Sequence, residues 1–166
     1  MPRTAPAFAS VAEEHLDGVF AYLLYLTGDR SLAEDLTGET FERALRRWRR
    51  FDPRRGTAKT WLCQLARSAA LDHFRAERRR RHREEAAGVE REETEPVFGE
   101  GLSAQLEAAL RRLSAGEREV IVLRVLLDLD DAAAAQLLGI SKTACSTRLS
   151  RGLAKLEALV GGEIRV

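Results

Sequence analysis

Between Leu32 and Trp48, the side chains Leu32, Leu36, Thr40, Phe41, Ala44, Leu45 and Trp48 recur at three- and four-residue steps, the period of one buried helix face. The opposite face carries Glu39, Glu42, Arg43, Arg46, Arg47, Arg49 and Arg50. Asp52-Pro53 and Gly56 then end the helix, because proline lacks the N–H that continuation requires and disfavours the α conformation in the residue before it. The period resumes near Ala58, with Thr57 placed as its N-cap. On this second helix Trp61, Leu62, Leu65, Ala69 and Asp72 mark one side, and Gln64, Arg67, Ser68, Arg75 and Arg79 mark another. Long cations with polar residues between them suit a polyanion.

Upstream, Ser10 to Glu13 has the capping-box form, in which the Ser hydroxyl and the Glu carboxylate each satisfy a free amide of the first turn. Leu16, Val19, Phe20, Leu23 and Leu24 then predict a helix ending near Gly28, after a short flexible lead over Met1–Ala9. Ser31 to Glu34 repeats the device and opens the helix that runs to Arg50. These segments make a three-helix module. Only 12 Gly and 4 Pro occur in 166 residues, and β-branched residues are scarce, so an all-α fold is expected.

The net charge of +1 hides a segregation. Residues 1–83 hold 17 Arg/Lys against 11 Asp/Glu, residues 84–101 hold 1 against 7, and residues 102–166 hold 9 against 8. The local field, not the sum, governs binding to a polyanion. Dense charge, few apolar residues and Pro96, Gly99 and Gly101 mark residues 84–101 as a flexible acidic linker between two small helical domains, 1–83 and 102–166. Its carboxylates could shield the Arg-rich helix or lie along a cationic channel of a partner.

In the second domain Leu106, Ala109, Leu110 and Leu113 form a short amphipathic helix. Ser114 to Glu117 is a third capping box, opening a helix through Val120, Leu123, Val125 and Leu126. An Ala-rich helix to Leu138, the break at Gly139 and a restart capped by Ser141 have the helix-turn-helix pattern. The last helix would turn Cys145, Leu149, Leu153 and Leu156 inward and Lys142, Thr143, Ser146, Thr147 and Arg151 outward. Recognition helices read the major groove near their N-terminus, which also presents free amides to phosphate.

These segments resemble an extracytoplasmic-function (ECF) sigma factor, the small two-domain type of bacterial transcription initiation factor. AEDLTGETFERALRRW is similar to the family's polymerase-binding helix, and AKTWLCQLARSAALDHFRAERRR to its promoter −10 segment. GEREVIVLRVLLDL, AAAAQLLGIS and TRLSRGLAKL are similar to its −35 helix-turn-helix. The resemblance implies binding of core RNA polymerase through Asp35, Glu39, Arg43, Arg46 and Arg47. It implies −10 contacts from Gln64, Arg67, Ser68, Asp72, Arg75, Arg78 and Arg79, and −35 contacts from Lys142, Thr143, Ser146, Thr147, Arg148 and Arg151. It also implies an anti-sigma factor as partner. The chain departs from the family at Gly38, Ser68, Ala144 and Ser146, where Gln, Asn, Thr and Lys are usual.

No nucleophile, base and oxyanion-hole set and no Gly-rich phosphate loop is visible, so a non-enzyme without cofactor is expected. His15, His73 and His82 lack metal-ligand spacing. Cys63 and Cys145 belong to no CxxC motif and read as reduced, buried thiols of a cytoplasmic protein. No apolar run approaches a membrane span, so membrane insertion is not expected. The rival readings are a stand-alone helix-turn-helix regulator and a helical adaptor that binds protein only.

Overall fold

The computed structural model describes residues 7–161, which form α1 (Phe8–Thr27), α2 (Arg30–Arg47), α3 (Ala58–Ala86), α4 (Ala104–Arg112), α5 (Ala115–Ile121), α6 (Asp131–Leu138) and α7 (Lys142–Gly161). A 3-10 turn, Trp48–Arg50, extends α2, and a π turn, Val122–Leu126, extends α5. No strand occurs among the described residues. Most of the lead expected over Met1–Ala9, and the last residues of the second domain, lie outside them; Phe8 and Ala9 are helical.

In the first lobe α1, α2 and α3 pack together around Val19, Tyr22, Leu23, Leu36, Leu62 and Leu65, with Ala33, Ala44, Ala66, Ala69 and Ala70 allowing close approach. Buried Thr37 and Thr40 donate their hydroxyls to the carbonyls of Ala33 and Leu36, which satisfies both oxygens inside the core. Two residues expected in this core are exposed, Leu16 at 47% and Leu45 at 60%. Tyr22, fully buried, takes the inward place on α1 instead. The α2–α3 turn is clamped by aromatic rings. Trp48 stacks on Phe51 at 5.1 Å, and Trp61 lies 5.2 Å from Phe51 and 5.9 Å from Trp48.

The capping expectations divide. Thr57 caps α3 by accepting from Thr60 N, and Ser114 with Glu117 forms the complete reciprocal box. Ser10 does not cap α1, which starts earlier at Phe8, where the ring packs edge-on against Trp48 at 5.5 Å. Ser31 does not cap α2 either, because Asp29 accepts from Leu32 N two residues upstream.

The second lobe is built on the predicted helix-turn-helix. Gly139 takes the left-handed conformation that closes α6 (φ 66°), and Ser141 Oγ accepts from Ala144 N at 3.0 Å to open α7. Leu153, expected inward, is 38% exposed, whereas Gly152 is buried. A Cβ at Gly152 would lie 3.2 Å from Ile121 Cδ1, so α7 rests on α5 through a residue with no side chain. Val125 and Leu126, which close the helix predicted through Val120, are exposed where the π turn breaks the 3.6-residue period.

The segment between the lobes differs from the expected 84–101 span at both ends. Glu84, Glu85 and Ala86 continue α3. Near the other end Val97 N donates to Gly28 O at 2.8 Å, and Phe98 is 1% exposed. The Phe98 ring sits 6.0 Å from Tyr25 and under the Arg118 guanidinium at 5.0 Å, and its N–H donates to Glu107 Oε1. From Ala87 to Glu95 the chain is exposed and irregular, as its composition predicts. Arg91, the lone cation of the span, returns to Glu77 and Glu84 of α3.

Candidate nucleic-acid interface

The α2 residues implied by the resemblance fall into two rows. Asp35, Glu39 and Arg46 share the outer row, with Glu42 and exposed Leu45 beside them, since three- and four-residue steps superpose on a helix. Arg46 pairs with Glu42. Arg43 and Arg47, four residues apart, form the flank. Arg43 pairs with Glu39 and reaches Asp72 of α3 at 3.6 Å, so it ties the two helices together. Gly38 is exposed, and a Cβ there would touch nothing within 4 Å; its cost to α2 is about 1 kcal/mol relative to Ala.

On α3 the residues Gln64, Arg67, Ser68, Asp72 and Arg75 surround one depression of about 230 Å3, together with Leu71 and, from α6, Leu137. Gln64, Ser68 and Arg75 are exposed. Asp72 lies 3.6 Å from both Arg43 and Arg75, so its carboxylate orients the cations that flank it. Arg67 is withdrawn: its Nε donates to Glu119 Oε1 at 2.7 Å. Arg78 and Arg79 lie further along the protruding end of α3. Arg78 lines a different groove, with Asp35, His73, Phe74 and Glu77.

On α7, Lys142, Thr143, Ser146, Thr147 and Arg151 are exposed around the first turns. Thr143, Thr147, Arg148 and Arg151 border a cleft against Ser114 and Gly116 of α5. Arg148 is half-buried, with its guanidinium 3.4 Å from the position a Gly116 Cβ would occupy, so it packs within its own lobe as well as facing the cleft.

The thiols are set apart from this surface. Burial pushes the Cys63 thiol up to about 12 and raises Cys145, so neither forms thiolate at neutral pH. No group of three or more His, Cys, Asp or Glu suited to a metal occurs among the described residues.

Sequence reading missed Glu119, Tyr22, Lys59 and Phe98, all of which bridge the lobes. Tyr22 Oη donates to Glu119 at 2.6 Å, and Lys59 Nζ donates to Leu127 O at 2.9 Å. The available signal was Glu119 itself, a carboxylate set against the apolar run Val120–Leu123.

Two helical lobes, one with a cationic α3 stripe and the other with a helix-turn-helix, define a protein of the sigma-70 class. The chain matches Sigma-70 region 2 over residues 11–80 and Sigma-70 region 4 over residues 103–156. It is 34% identical to the ECF RNA polymerase sigma factor BldN of Streptomyces coelicolor, over 97% of this chain and 63% of that protein. It is 31% identical to the ECF RNA polymerase sigma factor SigC of Mycobacterium tuberculosis, over 90% of this chain and 79% of that one. Among solved structures, the sigma factor RpoE in complex with the anti-sigma factor NepR from Bartonella quintana superposes with a TM-score of 0.74. That match has 26% identity and covers 93% of this chain and 96% of the other. The chain belongs to the ECF RNA polymerase sigma factor family.

Proposed function

We propose that this chain binds core RNA polymerase and directs promoter recognition, duplex opening and transcription initiation. The observation that carries this reading is the separation of two DNA-suited surfaces: the α3 stripe on one lobe and the start of α7 on the other, matched in order to the two sigma regions. The outer row of α2, with Asp35, Glu39 and Arg46, and its flank, with Arg43 and Arg47, dock on the polymerase. Gln64, Arg67, Ser68, Asp72, Arg75, Arg78 and Arg79 hold the −10 strand. A base read in single-stranded form must leave its stack, and capture in a pocket with backbone neutralisation offsets that cost of a few kcal/mol. Lys142, Thr143, Ser146, Thr147, Arg148 and Arg151 hold the −35 duplex, where phosphate contacts position the lobe and only side chains reaching base edges specify sequence.

The protein works in the cytoplasm and performs no covalent chemistry of its own. No helix among the described residues is long and apolar enough to cross a membrane. An anti-sigma factor is its expected regulator, as in the RpoE complex with NepR.

The test is run-off transcription with purified core polymerase and this chain alone, on a promoter mapped from start sites after overproduction. Specific transcripts are expected, and their dependence on a second sigma factor would overturn the reading in favour of a stand-alone regulator. Arg75→Ala should reduce open-complex formation. Lys142→Ala should weaken upstream binding uniformly across sequences and lower its salt dependence by about one counterion.

A further inference from the structure

Glu119 is 7% exposed, and both of its hydrogen-bond partners come from the other lobe. Tyr22 Oη donates to its Oε1 at 2.6 Å and Arg67 Nε to the same oxygen at 2.7 Å. A carboxylate removed from water is strongly unfavourable unless it is paired and hydrogen-bonded, so these two donors are what make its burial tolerable. Tyr22 is itself fully buried, and its phenol is held well above its usual range by burial and by the Glu119 charge; it stays a donor at any accessible pH.

The same contact removes Arg67 from the α3 stripe. Its side chain is 26% exposed, whereas Gln64, Ser68 and Arg75 around it are open. Leu137 of α6 stands at the rim of the depression these residues form, and Lys59 fastens the start of α3 to Leu127 of the second lobe. We propose that Glu119, Tyr22 and Arg67 form a latch, in which the Glu119 carboxylate occupies Arg67 as a DNA phosphate would and withholds this one cation of the α3 stripe from single-stranded DNA until the lobes part. This rests on the assignment of the α3 stripe to the −10 strand. An anion already seated on Arg67 must leave before phosphate can bind there, and the lobe that carries it must leave with it.

The test uses the full-length free protein with Glu119→Gln and, separately, Tyr22→Phe, which removes only the phenolic oxygen. Spin labels on Arg54→Cys and Ser150→Cys, both exposed positions on different lobes, report the distance between lobes; Cys63 and Cys145 are buried and do not compete for label. Anisotropy of a labelled single-stranded oligonucleotide reports affinity. Glu119→Gln is expected to lengthen the distance distribution and tighten oligonucleotide binding about tenfold, the size of one charge-assisted hydrogen bond lost from the closed form. Tyr22→Phe should move both in the same direction by less, and it decides the matter should the Gln variant fail to keep its helical content. Unchanged distances in folded variants overturn the latch. Longer distances without tighter binding overturn the withholding of DNA, while the role of the stripe is judged separately by Arg75→Ala in the holoenzyme.

Discussion

In the first lobe α1, α2 and α3 run for 20, 18 and 29 residues, whereas α4, α5 and α6 of the second run for 9, 7 and 8. Every helix leaves about four amides unsatisfied at its start whatever its length, so the end effect weighs most on the short ones. All three short helices are capped by side chains. Ser103, Ser114, Asp130 and Ser141 each accept from a first-turn amide of α4, α5, α6 and α7. The longer α1 begins with no side-chain cap at all, and its position is set by packing of Val19, Tyr22 and Leu23. Asp29 and Thr57 cap α2 and α3, so among the described helices α1 alone starts without a side-chain cap and is held by packing.

The contrast breaks most visibly at Leu62, which is fully buried in the first lobe. Leu62→Ala is expected to lower unfolding free energy by about 3 kcal/mol, measured by denaturant titration, because transfer and cavity terms add. Next, loss of the caps by Ser114→Ala and Asp130→Ala should each cost about 1 kcal/mol, while Ser10→Ala and Ser31→Ala, whose hydroxyls cap no helix, should stay within about 0.5 kcal/mol. Equal losses at all four positions would erase the distinction. The smallest effect concerns acid. The Ser114 backbone N–H, and Lys155 at 3.4 Å, hold the Glu117 carboxyl below its ordinary value of 4.5. A depressed folded pKa means stability present above the unfolded value and lost as pH falls through the folded one. Between about pH 5 and about pH 3 the wild type should therefore lose more stability than Glu117→Gln, as followed by denaturant titration at each pH.

The same contrast explains what could be read from the residues. Ser114 to Glu117 is legible because an apolar run follows it and nothing upstream competes for the cap. Ser10 and Ser31 share the pattern, yet Phe8 docking on Trp48 and Asp29 lying two residues earlier move both helix starts upstream. The extension of α3 to Ala86 carries no apolar period; Arg80–Glu84 and Glu77–Arg81 pairs at four-residue spacing line it instead. Gly152 replaces Leu153 inside because periodicity weighs side chains, whereas close helix contact favours their absence. The α3 stripe and the α7 start were legible from local spacing. The Arg67–Glu119 pair joins residues 52 positions apart, and no window of sequence contains it.

Phe98 gives the tether between the lobes two lengths. While its ring is seated, the free stretch runs only from Ala87 to Val97, about 36–40 Å when fully drawn out. Once Phe98 also leaves Glu107 and Arg118 of the second lobe, the chain can pay out as far as Ser103, roughly 56–61 Å. A single aromatic residue thus sets how far apart the two lobes can travel while one chain still joins them.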